Sequence, residues 1–164
     1  MIAFLVSARA RAVAVGWLAV ATSACAGDGT GLDENGNPVV STSPCVAATG
    51  GCTDGACFAR DIQPILSSNC ALSGCHAGTA PQQGMNLSAG LAYANLVCVA
   101  SAERPGMMRV RPLQPDSSYL VHKVQGTQSS VGGLGAQMPL GLAPLSQQQI
   151  SLIRAWISEG AKSN

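Results

Sequence analysis

Two thiols and an imidazole lie within seven residues in the segment Cys70-Ala71-Leu72-Ser73-Gly74-Cys75-His76. The shorter pattern Cys-x-x-Cys-His is typical of c-type haem attachment, in which both thiols form thioethers with the porphyrin and the adjacent His binds the iron. Here four residues separate the thiols, and Ser73-Gly74 gives the loop the backbone freedom that a tight turn needs. We therefore predict that Cys70 and Cys75 bind a haem covalently and that His76 is the proximal iron ligand.

Two other interpretations of this segment compete with haem attachment. Cys70 and Cys75 could form a local disulfide in an exported protein, or they could bind zinc together with His76 and a fourth group. The zinc interpretation has less support because no second Cys/His pair completes a site with the usual spacing. The adjacency of Cys75 and His76 favours haem attachment over both.

A soft ligand that could complete such a site is Met138, which precedes Pro139 in the Gly-rich, irregular segment 125–144. A long irregular loop in a small domain usually has a function, and a Met/His ligand pair is typical of electron-carrying haem proteins. Pro139 restricts Met138 to extended backbone, which helps to hold the sulfur in place. We predict Met138 as the distal iron ligand. Three other methionines are competitors whose default role is filling core space: Met85, Met107 and Met108.

Other residues with chemical potential are few. His122, the second histidine, is predicted to point away from the apolar face of its helix, so it is a poor candidate for an inward-facing ligand. Three arginines cluster in one loop and are interpreted as solvated charges, although one of them could contact a haem propionate: Arg104, Arg109 and Arg111. The sequence offers no Ser/His/Asp or Cys/His set for catalysis.

The first 24 residues have the composition of an export signal. Two positive charges precede an uncharged apolar run over residues 12–21, which is far shorter than the roughly 20 residues of a membrane-spanning helix. Small residues then lead to Cys25, as in lipoprotein signals, where that cysteine is lipidated. Thr22 departs from the pattern, so cleavage after Ala26 by the ordinary signal peptidase stays an alternative. We predict a lipoprotein-type signal peptide over residues 1–24 and a lipid on Cys25.

A Gly/Ser/Thr-rich stretch over residues 25–56 has no helical or strand periodicity and is predicted to be a flexible tether. The chain contains seven cysteines, an odd number for an exported protein. If one carries lipid and two carry haem, an even set remains as disulfide candidates: Cys45, Cys52, Cys57 and Cys98. Four cysteines allow three pairings, among which the sequence does not choose.

Residues 57–164 are predicted to form one small, mostly α domain with long irregular loops. Four segments have apolar residues at helical spacing: Phe58–Asn69 bent at Pro64, Leu87–Val97 with Ser88 as N-cap, Tyr119–Val124 ended by Gly126, and a C-terminal helix from the capping box Ser146–Gln149 to Gly160. Only four large aromatic side chains follow the signal, so the domain needs a cofactor or disulfides to supplement its core.

The order of these motifs resembles the monohaem cytochrome c domain, and more closely the lipoprotein-anchored cytochrome c-like domains with a widened Cys-x-x-x-x-Cys-His motif. The resemblance covers residues 57–164 and rests on six stretches: Phe58–Leu66, Cys70–His76, Gly84–Val97, Pro115–Val121, Met138-Pro139 and Leu145–Ala161. It implies one covalent haem c, held by Cys70 and Cys75 and ligated by His76 and Met138. The four-residue spacer is the main departure from the common pattern.

The resemblance implies an exported, membrane-anchored electron carrier rather than an enzyme, on the periplasmic or outer-surface side of a bacterial membrane. Its partner would be another redox protein, and neither a small-molecule substrate nor nucleic acid is indicated. Without the two signal arginines the chain carries seven basic and eight acidic side chains, so no basic surface is expected. Two alternatives stay open. One is a haem-based peroxidase or sensor with an open iron position, and the other is a haem-free lipoprotein whose remaining six cysteines are all paired.

Overall fold

The structure, a computed structural model, describes residues 45, 47–48, 50–52 and 55–164. The predicted signal peptide (1–24), the predicted lipidation site Cys25 and most of the predicted tether lie outside these residues. Four α-helices form in the described part of the chain: α1 (Gln63–Asn69), α2 (Ala92–Leu96), α3 (Tyr119–Gln125) and α4 (Gln147–Ser158). The same residues contain no β-strand, only isolated bridges. The prediction of a mostly α domain is confirmed.

The first helical segment is irregular, as the proline within it predicts. A π-helical turn over Phe58–Ile62 runs directly into α1, whose first turn contains Pro64. Proline has no N–H to donate and its ring collides with the carbonyl one turn earlier, so the wider turn before it accommodates the ring. The apolar stripe expected from the spacing is buried: Phe58, Ile62, Ile65 and Leu66.

The last helix is the one most fully specified by local sequence. Ser146 Oγ accepts a hydrogen bond from the Gln149 N–H at 3.2 Å, and the Gln149 side chain accepts one from the Ser146 N–H at 2.9 Å, which completes the predicted capping box. On the buried face of α4, the ring of Trp156 lies 5.2 Å from that of Phe58 and its Nε1–H donates to the Lys162 carbonyl at 2.9 Å. The first and last helical segments therefore meet in an aromatic contact.

The C-terminal residues are hydrogen-bonded to the start of the domain. Asn164 accepts from the Ala59 N–H at 2.7 Å through its carbonyl and from the Phe58 N–H at 2.9 Å through its side chain. The Glu159 carboxylate accepts from the Ala56 N–H at 3.1 Å. The two hydrogen bonds to side chains join residues that are separated by 103 and 106 positions in the chain. The two ends of the domain are therefore joined by long-range contacts.

The two middle helices differ in how well their sequences predict them. α3 ends at Gly126, which adopts φ 75 as the expected left-handed cap. α2 is shorter than predicted, because residues before Ala92 form a turn in which Gly90 has φ 80. Ser88 contributes its backbone carbonyl to that turn, accepting from the Ala92 N–H at 3.0 Å, and makes no side-chain cap.

The four cysteines predicted as disulfide candidates are paired. Cys45 is bonded to Cys98 and Cys52 to Cys57, with Cα–Cα distances of 5.4 and 5.6 Å. The Ala48 N–H also donates to the Gly160 carbonyl at 3.1 Å, so part of the segment assigned to the tether is attached to the helical domain. Disulfides are typical of proteins in oxidising compartments. Within the described residues, no helix has the length and apolar character to cross a bilayer.

Candidate functional site

The Cys70–His76 segment forms a closed turn at the C-terminal end of α1. The Cys75 N–H donates to the Leu72 carbonyl at 3.0 Å, and the His76 N–H donates back to the Cys70 carbonyl at 3.2 Å. Gly74 adopts φ 79, a conformation that glycine reaches without strain. The four-residue spacer therefore still brings both cysteines to one tight loop.

Cys70 and Cys75 are free thiols, although the Cys52–Cys57 pair has the same spacing and forms a disulfide. Cys70 is buried, and this burial, together with the neighbouring Cys75 thiol, raises the pKa of Cys70 to about 11. Cys70 is therefore protonated at neutral pH, and its reactive form is the thiolate. Cys75 is exposed. The two thiols are not bonded to each other, as they would be in a local disulfide.

His76 is buried, with 8% of its surface exposed. Burial lowers the pKa of His76, although the nearby backbone of Gln82 and Met85 acts in the opposite direction. The buried Nδ1 of His76 has no hydrogen-bond partner in the described structure. The neutral ring is the form that binds metal ions, and a buried polar atom without a partner is unusual enough to indicate a functional role.

A partly open cavity of about 640 Å³ brings the predicted site residues together. Cys70, Cys75 and His76 line it, and so does Met138, which is remote from them in sequence. Apolar surface predominates in the wall, and its aliphatic side chains include Leu72, Leu87, Leu96, Leu120, Val124 and Leu142. A cavity of this volume, mostly apolar with a few convergent polar groups, has the character of a cofactor or small-molecule site.

Met138 and His76 are held by different parts of the cavity wall. The Met138 N–H donates to the carbonyl of Lys123 in α3 at 2.9 Å. Met85 also lines the cavity, but its backbone adjoins the His76 ring. Met85 therefore lies on the same side of the cavity as His76. The other two methionine competitors, Met107 and Met108, line a separate groove and not this cavity.

Arg109 differs from the expected solvated loop charge. Its side chain is half-buried in the cavity wall and donates from Nη1 to the Asn95 carbonyl and from Nη2 to the Gln83 carbonyl, both at 2.8 Å. Burial lowers the pKa of Arg109. A guanidinium in this position places a fixed positive charge in the cavity wall.

The sequence interpretation missed an ion pair in the same wall. Lys123 Nζ lies 2.7 Å from a Glu103 carboxylate oxygen, and only 9% and 19% of the two side chains are exposed. One feature of the sequence indicates this ion pair: Lys123 follows Leu120 by three residues, which places a cation within the apolar face of α3. Glu103 carries no comparable signal because it lies in a loop.

His122 takes no part in the cavity. Its two ring nitrogens pair with Thr127 Oγ1 and the Asp116 carbonyl, each at 3.0 Å. In the part of the chain that the structure describes, no group of three or more His, Cys, Asp or Glu side chains is arranged to hold a metal ion. Site and fold together define a small helical domain, cross-linked by disulfides, with two free thiols, an imidazole and a thioether around one cavity. No protein family, curated protein or solved structure matches the chain.

Proposed function

We propose that this protein is an exported c-type cytochrome that carries one covalently bound haem and transfers single electrons. The observation that carries the proposal is the cavity shared by Cys70, Cys75, His76 and Met138. Thioether-forming thiols, an imidazole and a soft sulfur ligand converge there from separate parts of the chain. This is the residue set that a haem c with His/Met ligation requires.

Three further observations support the fit of a haem to these residues. Cys70 and Cys75 are free in a protein whose other described cysteines are paired, and so are available for covalent attachment. His76 is buried, with an unpartnered Nδ1. Apolar surface predominates in the wall, which suits a macrocycle that is apolar over most of its surface.

Each residue then has a distinct role. Cys70 and Cys75 would hold the porphyrin, and His76 and Met138 would be the proximal and distal ligands of its iron. The bound haem supplies the one-electron chemistry, with a potential that its ligands and surroundings set. The aliphatic wall excludes water, and Arg109 provides a positive charge near the site. We place the transfer partner among redox proteins.

The proposal includes the surroundings of the domain. We propose that residues 1–24 direct export, that a lipid on Cys25 anchors the protein to a bacterial membrane on its periplasmic or outer-surface side, and that residues 57–164 are a cytochrome c-like domain. The two disulfides support an oxidising location. The haem-free alternative gains no support, because it requires Cys70 and Cys75 to be paired.

Mass spectrometry of protein from a host competent in c-type haem maturation tests the proposal. We expect the parent chain to carry the added mass of one haem and the double variant Cys70→Ser/Cys75→Ser to lack it. The matched control is Cys52→Ser/Cys57→Ser, which removes a cysteine pair of the same spacing and should keep the haem. A parent chain without added mass contradicts the proposal. Carbon monoxide binding by the reduced parent would instead favour a catalyst or sensor with an open iron position.

A further inference from the structure

We infer that the Lys123–Glu103 ion pair positions Met138, by clamping the segment 134–138 against α3. The role of the Met138 thioether as a ligand rests on the proposed function, whereas the clamping of the segment does not. Lys123 and Glu103 are thus positioning residues that act through Met138.

The segment 134–138 has little packing of its own. Leu134 is 67% exposed, and residues 135–137 are exposed as well. Its contacts with α3 are hydrogen bonds: the Met138 N–H donates to the Lys123 carbonyl at 2.9 Å and Gln137 Nε2 donates to the Val124 carbonyl at 3.1 Å. A segment held in this way depends on polar anchors rather than on burial of apolar surface.

Both backbone groups of Leu134 are engaged by the ion-pair cluster. The Leu134 N–H donates to the Glu103 carbonyl at 3.2 Å. The Leu134 carbonyl accepts from Lys123 Nζ at 3.3 Å and from the Tyr119 hydroxyl at 2.8 Å. Lys123 therefore holds the segment at both ends, through its side chain at Leu134 and through its carbonyl at Met138.

The ion pair is what keeps the Lys123 ammonium group at this position. A buried charge without a partner is strongly unfavourable, and the Glu103 carboxylate at 2.7 Å supplies that partner. Gly135 allows the close approach: it has φ 76, and a Cβ there would lie 2.7 Å from both Glu103 Oε1 and Lys123 Nζ. The position closest to the ion pair is thus occupied by glycine, which has no Cβ to collide with it.

Hydrogen exchange of the haem-free chain tests the clamp directly. In Lys123→Met we expect the Met138 amide to exchange at least about tenfold faster, as for a loss of about 1.4 kcal/mol of local protection. Amides of α4 should keep their parental rates. The control variant is Asp116→Asn, which breaks the ion pair with Arg154 (2.7 Å) at an exposed site and should leave Met138 protected.

The haem-loaded protein supplies the second readout. Lys123→Met should retain its covalent haem, lose the sulfur-to-iron absorption of the oxidised form and gain carbon monoxide binding in the reduced form. If Lys123→Met fails to fold because Glu103 is left unpaired, the double variant Lys123→Met/Glu103→Gln replaces it, with the same release of Met138 expected. Unchanged Met138 exchange, or equal acceleration throughout α4, overturns the inference. Absence of haem in the parent refutes the proposed function but leaves the exchange test decisive for the clamp.

Discussion

The two free cysteines should react with an alkylating agent at very different rates in the folded, haem-free chain. Cys70 is 8% exposed and has its pKa raised from 9.0 to about 11, whereas Cys75 is exposed. At pH 8 a thiol of ordinary pKa is ionised in about one molecule in ten, and a thiol of pKa about 11 in about one in a thousand. Since the thiolate is the nucleophile, ionisation alone slows Cys70 about a hundredfold, and burial slows it further.

The assay is a time course with iodoacetamide at pH 8, without reductant, followed by peptide mass spectrometry. Cys75 should be labelled first, and both cysteines should react at similar rates once the chain is unfolded in denaturant. Equal native rates for Cys70 and Cys75 would refute the assignment of Cys70 to a buried, protonated state. Failure of both to react even in denaturant, with the mass two units lower, would show that they form a disulfide.

Three predictions concern stability. The raised pKa of Cys70 favours the protonated folded state, so this contribution is complete below about pH 9 and is lost towards pH 11. The free energy of unfolding of the haem-free chain, measured in urea, should fall by about 2 kcal/mol over that window, and Cys70→Ser should not show this fall. Trp156→Phe removes the hydrogen bond to Lys162 and part of a fully buried ring, so the free energy of unfolding in urea should be lower by about 2–3 kcal/mol. A decrease below about 0.5 kcal/mol would contradict this prediction. The double variant Cys45→Ser/Cys98→Ser opens a loop of 53 residues, and its free energy of unfolding should be lower by up to about 4 kcal/mol. Retention of the parental Tm in thermal unfolding would argue against a structural role for this disulfide.

Local sequence predicts the helices whose ends carry their own signals. The Ser146–Gln149 box and the Gly126 cap act within one turn of the chain, so α4 begins and α3 ends where expected. α2 begins later because a single glycine, Gly90, takes a left-handed conformation inside an apolar pattern that otherwise has helical spacing.

The candidate site also has a part that local sequence predicts and a part that it does not. The turn from Cys70 to His76 is local, and its residue types indicate its chemistry. Tertiary contacts, by contrast, decide the burial of Lys123 and the half-burial of Arg109, since the partners of both are distant in sequence. Local pattern does not predict the disulfide pairing either. One Cys-x-x-x-x-Cys pair is bonded and the other is free, although each pair has one buried and one exposed cysteine.

The hydrogen bonds between Asn164 and the start of the domain bear on the order in which the domain assembles. The turn that presents Cys70 and Cys75 needs contacts only within seven residues, whereas closure of the domain needs contacts across 106 positions. Local contacts form much sooner than distant ones, because a long loop must first lose its freedom. We therefore expect the folding chain to pass through a stage in which the turn has formed and the domain has not yet closed over it. Any modification that requires access to Cys70 has its natural opportunity then, before the last residues seal the fold.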